Sequence, residues 1–151
     1  MDMGINFRQT LENGCFCLDL RSATKDEVIA EMVDLLVVAG QLKDREGALH
    51  AVLEREARMS TGMQHGVAVP HGKTASVDRL VTAFALKKAG VDFQALDRQP
   101  CRIFVMTISP INRTGPHIQY LSAISKFLDS PVIREKLLAA TSVHEVLEIL
   151  S

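Results

Sequence analysis

The sequence predicts an α/β domain: a three-layer sandwich, with a mixed sheet of four or five strands between helices on both faces. Three observations carry this reading. Helical periodicity fills residues 24–58 and returns over residues 116–150. Short apolar runs suited to strands occupy the stretch between them. Two of those runs are apolar almost throughout, as strands covered on both faces are. The 151 residues suit one domain, residues 1–151. A chain of this length buries roughly 68–70% of its unfolded surface, so a full core is within reach.

Taken in chain order, residues 16–20 supply an edge strand. Thr24 and Glu27 then form a capping-box pair, in which each side chain satisfies an exposed backbone N–H of the other's turn. Val28, Ile29, Met32, Val33, Leu35 and Leu36 follow at helical spacing, and Gly40 is the stop. Asp44 caps a second helix with Leu49, Val52 and Leu53 inward. Arg55 and Arg58, three residues apart, share one flank of it. Strands are predicted over residues 66–69, 80–86 and 103–108, with residues 92–100 looping between the last two. Pro116 suits the first position of a helix whose apolar face is Ile118, Leu121, Ile124 and Leu128. Ser130-Pro131 opens another helix through Leu138. Residues 142–150 form a last one, with Val143, Val146, Leu147 and Leu150 inward.

Charge narrows the partners. There are 17 basic and 18 acidic residues, a net charge of −1, so no basic excess calls for nucleic acid and none for anionic lipid. A protein partner remains open. The first residues lack the charged-then-apolar order of a secretory signal. No uncharged apolar stretch approaches the ~20 residues that span a bilayer. The expectation is a cytoplasmic protein that is not membrane-embedded. Cys15, Cys17 and Cys101 are an odd set without framework spacing and read as reduced structural residues.

The densest chemical signal lies between Ser60 and Lys73. Pro70 has no N–H for a ladder, so a strand ends or lies at an edge there. Gly72 allows a sharp turn that exposes the ring of His71. An imidazole of ordinary pKa, near 6.5, keeps a free lone pair at neutral pH and can act as a nucleophile. His117 follows Gly115-Pro116 in the first turn of a predicted helix, where the positive end of the macrodipole disfavours imidazolium. A neutral ring with one N–H can donate to a phosphoryl oxygen, and the free backbone N–H groups of that helix end favour an anion. Arg55 adds a permanent charge in a fork matched to phosphate, with Arg58 the competitor if Arg55 points away. Ser60 and Thr61 can offer hydroxyls to the same oxygens. Read together, these residues form one site that carries a phosphoryl group on His71.

Each residue also has a plainer reading: a surface histidine in a turn, a histidine capping its helix, an arginine on a solvated face. A metallohydrolase using His71, His117 and either His65 or His50 is a further alternative. It lacks the His-x-x-x-His or Cys-x-x-Cys spacing that metal sites use. A binding module with incidental histidines is the last.

The strings Arg55-Glu56, Ser60-Thr61-Gly62 and Gly66-Val67-Ala68-Val69-Pro70-His71-Gly72-Lys73 resemble the EIIA domains of the bacterial phosphoenolpyruvate-dependent sugar phosphotransferase system (PTS). The resemblance is to the fructose/mannitol class, which includes the nitrogen-regulatory EIIA proteins. Val91-Asp92-Phe93, Ala95-Leu96-Asp97 and Pro116-His117-Ile118-Gln119 with Leu121-Ser122 extend it over essentially the whole chain. It implies a mixed sheet between helices. It implies that His71 takes a phosphoryl group from the phosphohistidine of HPr and passes it to an EIIB domain, whose acceptor in this class is typically a cysteine, for sugar uptake and phosphorylation. By the same resemblance His117 is the second, non-phosphorylated histidine and Arg55 the active-site arginine, and no cofactor is implied. The regulatory members offer the alternative: the phosphorylation state of His71 controls a target protein, and no sugar is transported. One position departs from the pattern. Many members have glycine where this chain has Gln64, and glutamine does not easily take a positive φ, so the loop before the strand is expected to differ in shape.

Overall fold

Eleven elements succeed one another in the described residues, 7–112 and 114–150 of a computed structural model. They are α1 (Phe7–Glu12), β1 (Cys15–Cys17), α2 (Lys25–Val38), α3 (Arg45–Arg58), β2 (Val67–Ala68), β3 (His71–Thr74), β4 (Val81–Val91), β5 (Cys101–Pro110), α4 (Thr114–Phe127), α5 (Pro131–Ala139) and α6 (Val143–Ile149). The helix starts follow from their caps. Thr24 and Glu27 make a complete capping box on α2, and Asp44, Ser130 and Ser142 each accept a backbone N–H at the start of α3, α5 and α6.

The strands make one mixed sheet in the order β1-β4-β5-β2, with β3 also on β5. β4 and β5 run antiparallel, while β1, β2 and β3 each pair in parallel. Alternation along the central strands sorts their side chains into two cores. Ala83, Ala85, Phe104, Met106 and Ile108 meet α2 and α3 through Val28, Met32, Val33, Leu36, Ala48 and Val52. Phe84, Leu86, Ile103 and Val105 face the other way, onto Leu11, Tyr120, Ile124, Leu128, Leu137 and Val146. That is the three-layer arrangement. Each large side chain buried in it, such as Phe84, Phe104 or Ile124, contributes about 1.5–3 kcal/mol of hydrophobic stabilisation.

The structure differs from the sequence reading in several elements. The short helix α1 and the strand β3 are additional. β4 continues past a register shift between Leu86 and Val91. α4 begins at Thr114, so Pro116 is its third residue, still within the first turn, where its missing N–H costs nothing. On α4 it is His117 and Tyr120 that turn inward with Ile124 and Leu128, whereas Ile118 is 58% exposed. Val143 is likewise surface-facing. All three cysteines are free thiols; burial raises the pKa of Cys15 and, with nearby carboxylates, pushes Cys101 up to about 12. Among the described residues no helix is long and apolar enough to cross a membrane.

Candidate active site

β2 and β3 are one edge strand with a gap. Val67 pairs with Ile103 and His71 with Thr107, the same register offset on β5. Pro70 sits in the gap and still contributes its carbonyl, which accepts from Thr107 N at 3.1 Å. His71 is therefore the first residue of a strand, not the last residue before a sharp turn. Gly72 lies within that strand and has no positive φ. Its role is clearance. A Cβ there would stand 3.1 Å from both Cγ2 and N of Val52 and 3.2 Å from the carbonyl carbon of Ala51. Only glycine admits helix α3 this close, and α3 brings Arg55 and Arg58 to the cleft beside His71.

His71 is half-buried. Its Nδ1 lies 2.9 Å from Val69 O, and because a carbonyl only accepts, Nδ1 carries the proton and Nε2 keeps its lone pair. His117, from the first turn of α4, stands opposite with ring centroids 5.1 Å apart and planes inclined at 58°. Its Nδ1 is 2.7 Å from Oγ of Ser109, near the end of β5. Both rings are held neutral. Burial lowers the pKa of His71, opposed by its bond to Val69 and assisted by the charges of Arg55 and Lys73. Burial also lowers that of His117, to about 4, aided by the neighbouring His71 ring, which disfavours a second imidazolium beside it, and by the charge of Lys73.

The two rings open on a cleft of about 580 Å³. Arg55, Arg58 and Lys73 give it positive charge, and Ala51, Ile118 and Leu121 an apolar wall. Arg55 is half-buried and donates through Nη1 to Met59 O at 2.8 Å; its other N–H groups bond no described residue. Arg58 is exposed and turned to Glu54, with Nη2 to Oε1 at 3.5 Å. The site thus pairs a neutral nucleophilic nitrogen with a cationic fork and a second ring, an arrangement suited to a tetrahedral oxyanion.

Ser60 and Thr61 do not join the cleft. The Ser60 hydroxyl donates to Phe93 O at 2.6 Å and accepts from Gly62 N at 3.0 Å, which ties the segment to the loop of residues 92–100. Thr61 is buried, and its N–H and hydroxyl both donate to the carboxylate of Glu56. Glu56 also takes Lys25 Nζ at 2.8 Å. The hydroxyls expected to bind phosphate are thus engaged in holding α3, α2 and the following loop together. In that loop the left-handed residues are His65 (φ 65°) and Gly66 (φ 79°), so Gln64 is not asked for a positive φ. His65 is braced by its N–H to Asp97 Oδ2 at 3.0 Å and lines a separate pocket. His50 lies at the cleft rim, paired with Glu54 at 3.1 Å. Among the described residues no three His, Cys, Asp or Glu side chains are placed to hold one metal ion.

Two site residues were not singled out from sequence. Lys73 lines the cleft from β3. Ser109 touches His117, and the one signal for it was a polar residue near the end of an otherwise apolar strand.

Comparison with known proteins supplies the context. The family described as "Phosphoenolpyruvate-dependent sugar phosphotransferase system, EIIA 2" matches residues 9–151. The "PTS system fructose-specific EIIA component" of Haloferax volcanii is 41% identical over 129 residues, which span 85% of this chain and 84% of that protein. Among solved structures, Nitrogen Regulatory Protein IIA-Ntr from Neisseria meningitidis superposes with a TM-score of 0.82 at 30% identity, over 95% of this chain and 98% of that one. Enzyme IIAMTL from Escherichia coli, solved in complex with phosphorylated enzyme IIBMTL, superposes with a TM-score of 0.76 at 30% identity, over 92% and 94% of the two chains.

Proposed function

The chain belongs to the EIIA 2 family of the phosphoenolpyruvate-dependent sugar phosphotransferase system, and from that premise we propose that His71 carries the phosphoryl group. In this reading phospho-HPr seats its phosphohistidine over the cleft. Nε2 of His71 attacks phosphorus in line while the phosphorus–nitrogen bond to the HPr ring breaks. The Arg55 fork and the His117 ring face the phosphoryl oxygens and offset their charge. In the second step the thiolate of an EIIB cysteine attacks the same phosphorus from the solvent side, and the Nε2 lone pair returns to His71. The apolar wall of Ala51, Ile118 and Leu121 is the surface on which either carrier rests. The protein is in this sense a phosphotransferase component of the cytoplasm, and its partners are HPr and an EIIB domain.

The observation that carries the proposal is the hydrogen bond from His71 Nδ1 to Val69 O, which leaves Nε2 as the reactive nitrogen in a cationic cleft. The test is incubation with phosphoenolpyruvate, Enzyme I and HPr, followed by mass measurement and site mapping at alkaline pH. One phosphoryl group on His71 is expected, and none on a folded His71→Ala variant. Full labelling of that variant refutes the assignment.

A second reading rests on the likeness to IIA-Ntr, which superposes with a TM-score of 0.82. There, phosphorylation of His71 controls a target protein and no sugar moves. Adding a fructose-class EIIB to the labelled protein separates the two. Rapid loss of the label supports the transport role, and retention supports regulation.

A further inference from the structure

We propose that Ser109 fixes the tautomer of His117, making that ring a hydrogen-bond donor at Nε2 in the cleft. The use of that donor, to hold a phosphoryl oxygen, rests on the phosphocarrier reading above; the tautomer itself does not. Ser109 lies near the end of β5, 1% exposed, paired with Lys73 of β3. Its hydroxyl is 2.7 Å from His117 Nδ1 and bonds no other described residue.

Two proton arrangements fit that distance. In one, Nδ1–H donates to the serine oxygen. The hydroxyl proton then has no acceptor in a buried place, and Nε2 of His117 presents a bare lone pair. In the other, the hydroxyl donates to Nδ1, and the ring proton sits on Nε2. The second arrangement satisfies both groups, and a buried donor without a partner is what proteins avoid.

The contrast with His71 is instructive. Both rings turn Nδ1 to the protein, but onto unlike partners. A carbonyl can only accept, so His71 is protonated at Nδ1 and bare at Nε2. A hydroxyl can give, so His117 is bare at Nδ1 and protonated at Nε2. The two rings are thereby set as complements, a nucleophile beside a donor, by their backing groups and without any charge on either. Ser109 acts through His117 and is a positioning residue.

The test is ¹⁵N–¹H correlation of the imidazole nitrogens at neutral pH, combined with transfer rates from phospho-HPr. The wild-type protein is expected to show His117 protonated at Nε2 and His71 at Nδ1. Ser109→Ala should mix the tautomers of His117 and slow transfer about tenfold, the worth of one hydrogen bond. Ser109→Thr keeps the hydroxyl and should restore both. A wild-type His117 protonated at Nδ1 overturns the inference, and so does Ser109→Ala with unchanged tautomer or unchanged rate. The wild-type spectrum decides the tautomer alone if the alanine variant does not fold. A correct tautomer in a protein that phospho-HPr never labels overturns the phosphocarrier reading and leaves the hydrogen-bond assignment standing.

Discussion

Lowering the pH should destabilise the protein through His117. The folded ring binds its proton only near pH 4, against an ordinary value of 6.5, because it is buried beside the His71 ring and the charge of Lys73. The sign follows from proton counts. Between those two values the unfolded chain binds more protons than the folded one, so stability is full above the unfolded value and is lost as pH falls towards 4. From about pH 7.5 to about pH 5 the linkage for this one ring amounts to about 2 kcal/mol. Solvent in the adjoining cleft screens part of it, leaving about 1–2 kcal/mol. His71, shifted in the same direction, adds to the loss. The perturbation that isolates the effect is His117→Gln, a neutral amide that cannot titrate. Urea unfolding of both proteins at both pH values is the assay. The variant should lose about 1–2 kcal/mol less than the wild type across that interval. Equal losses would mean that the ring titrates as freely in the folded protein as in the unfolded chain, and the account of a neutral, buried His117 would be refuted.

Three further outcomes are expected. Gly72→Ala places a Cβ 3.1 Å from the backbone N of Val52, so α3 must retreat by a few tenths of an ångström. The cost is about 1–3 kcal/mol in urea unfolding, with slowed transfer to the neighbouring His71, and an unchanged midpoint would contradict the close approach. Lys25→Met leaves the buried Glu56 carboxylate without its cation and should cost about 3–5 kcal/mol; a loss under about 1 kcal/mol would show that the pair is not energetically buried. Thr107 Oγ1 is the one buried side-chain oxygen or nitrogen without a partner among the described residues. Thr107→Val should therefore be neutral or stabilise by up to about 1 kcal/mol, and clear destabilisation would reveal a partner for that hydroxyl.

Where sequence reasoning succeeded, the signal was local. The capping box at Thr24 and Glu27 and the apolar runs of β4 and β5 are each contained in a few neighbouring residues. Where it failed, the deciding partner was distant. β3 reads His-Gly-Lys-Thr, in which only Thr74 favours a strand, and is a strand because β5 supplies the ladder. Ser60 and Thr61 had free hydroxyls on paper, yet Phe93 O and Glu56 claim them. Gly72 suggested a bend, and only the position of Val52 across the interface shows that it is a gap for a helix. On α4 the inward stripe includes a histidine and a tyrosine, polar types that an apolar count passes over, and this frees Ile118 to line the cleft.

The border of the sheet next to the cleft is already taken. Residues 61–63 lie against β2, with Met63 N bonded to Val67 O, Val69 N to Thr61 O, and a bridge between Gly62 and Ala68. Beyond Pro70, β3 is backed by α3 at Gly72. Along β2, a visiting chain therefore finds no row of unpaired amides on which to graft itself. Whatever meets the β2 border must do so through side chains, and such contacts let go readily. In the phosphocarrier role proposed above, quick parting matters as much as meeting.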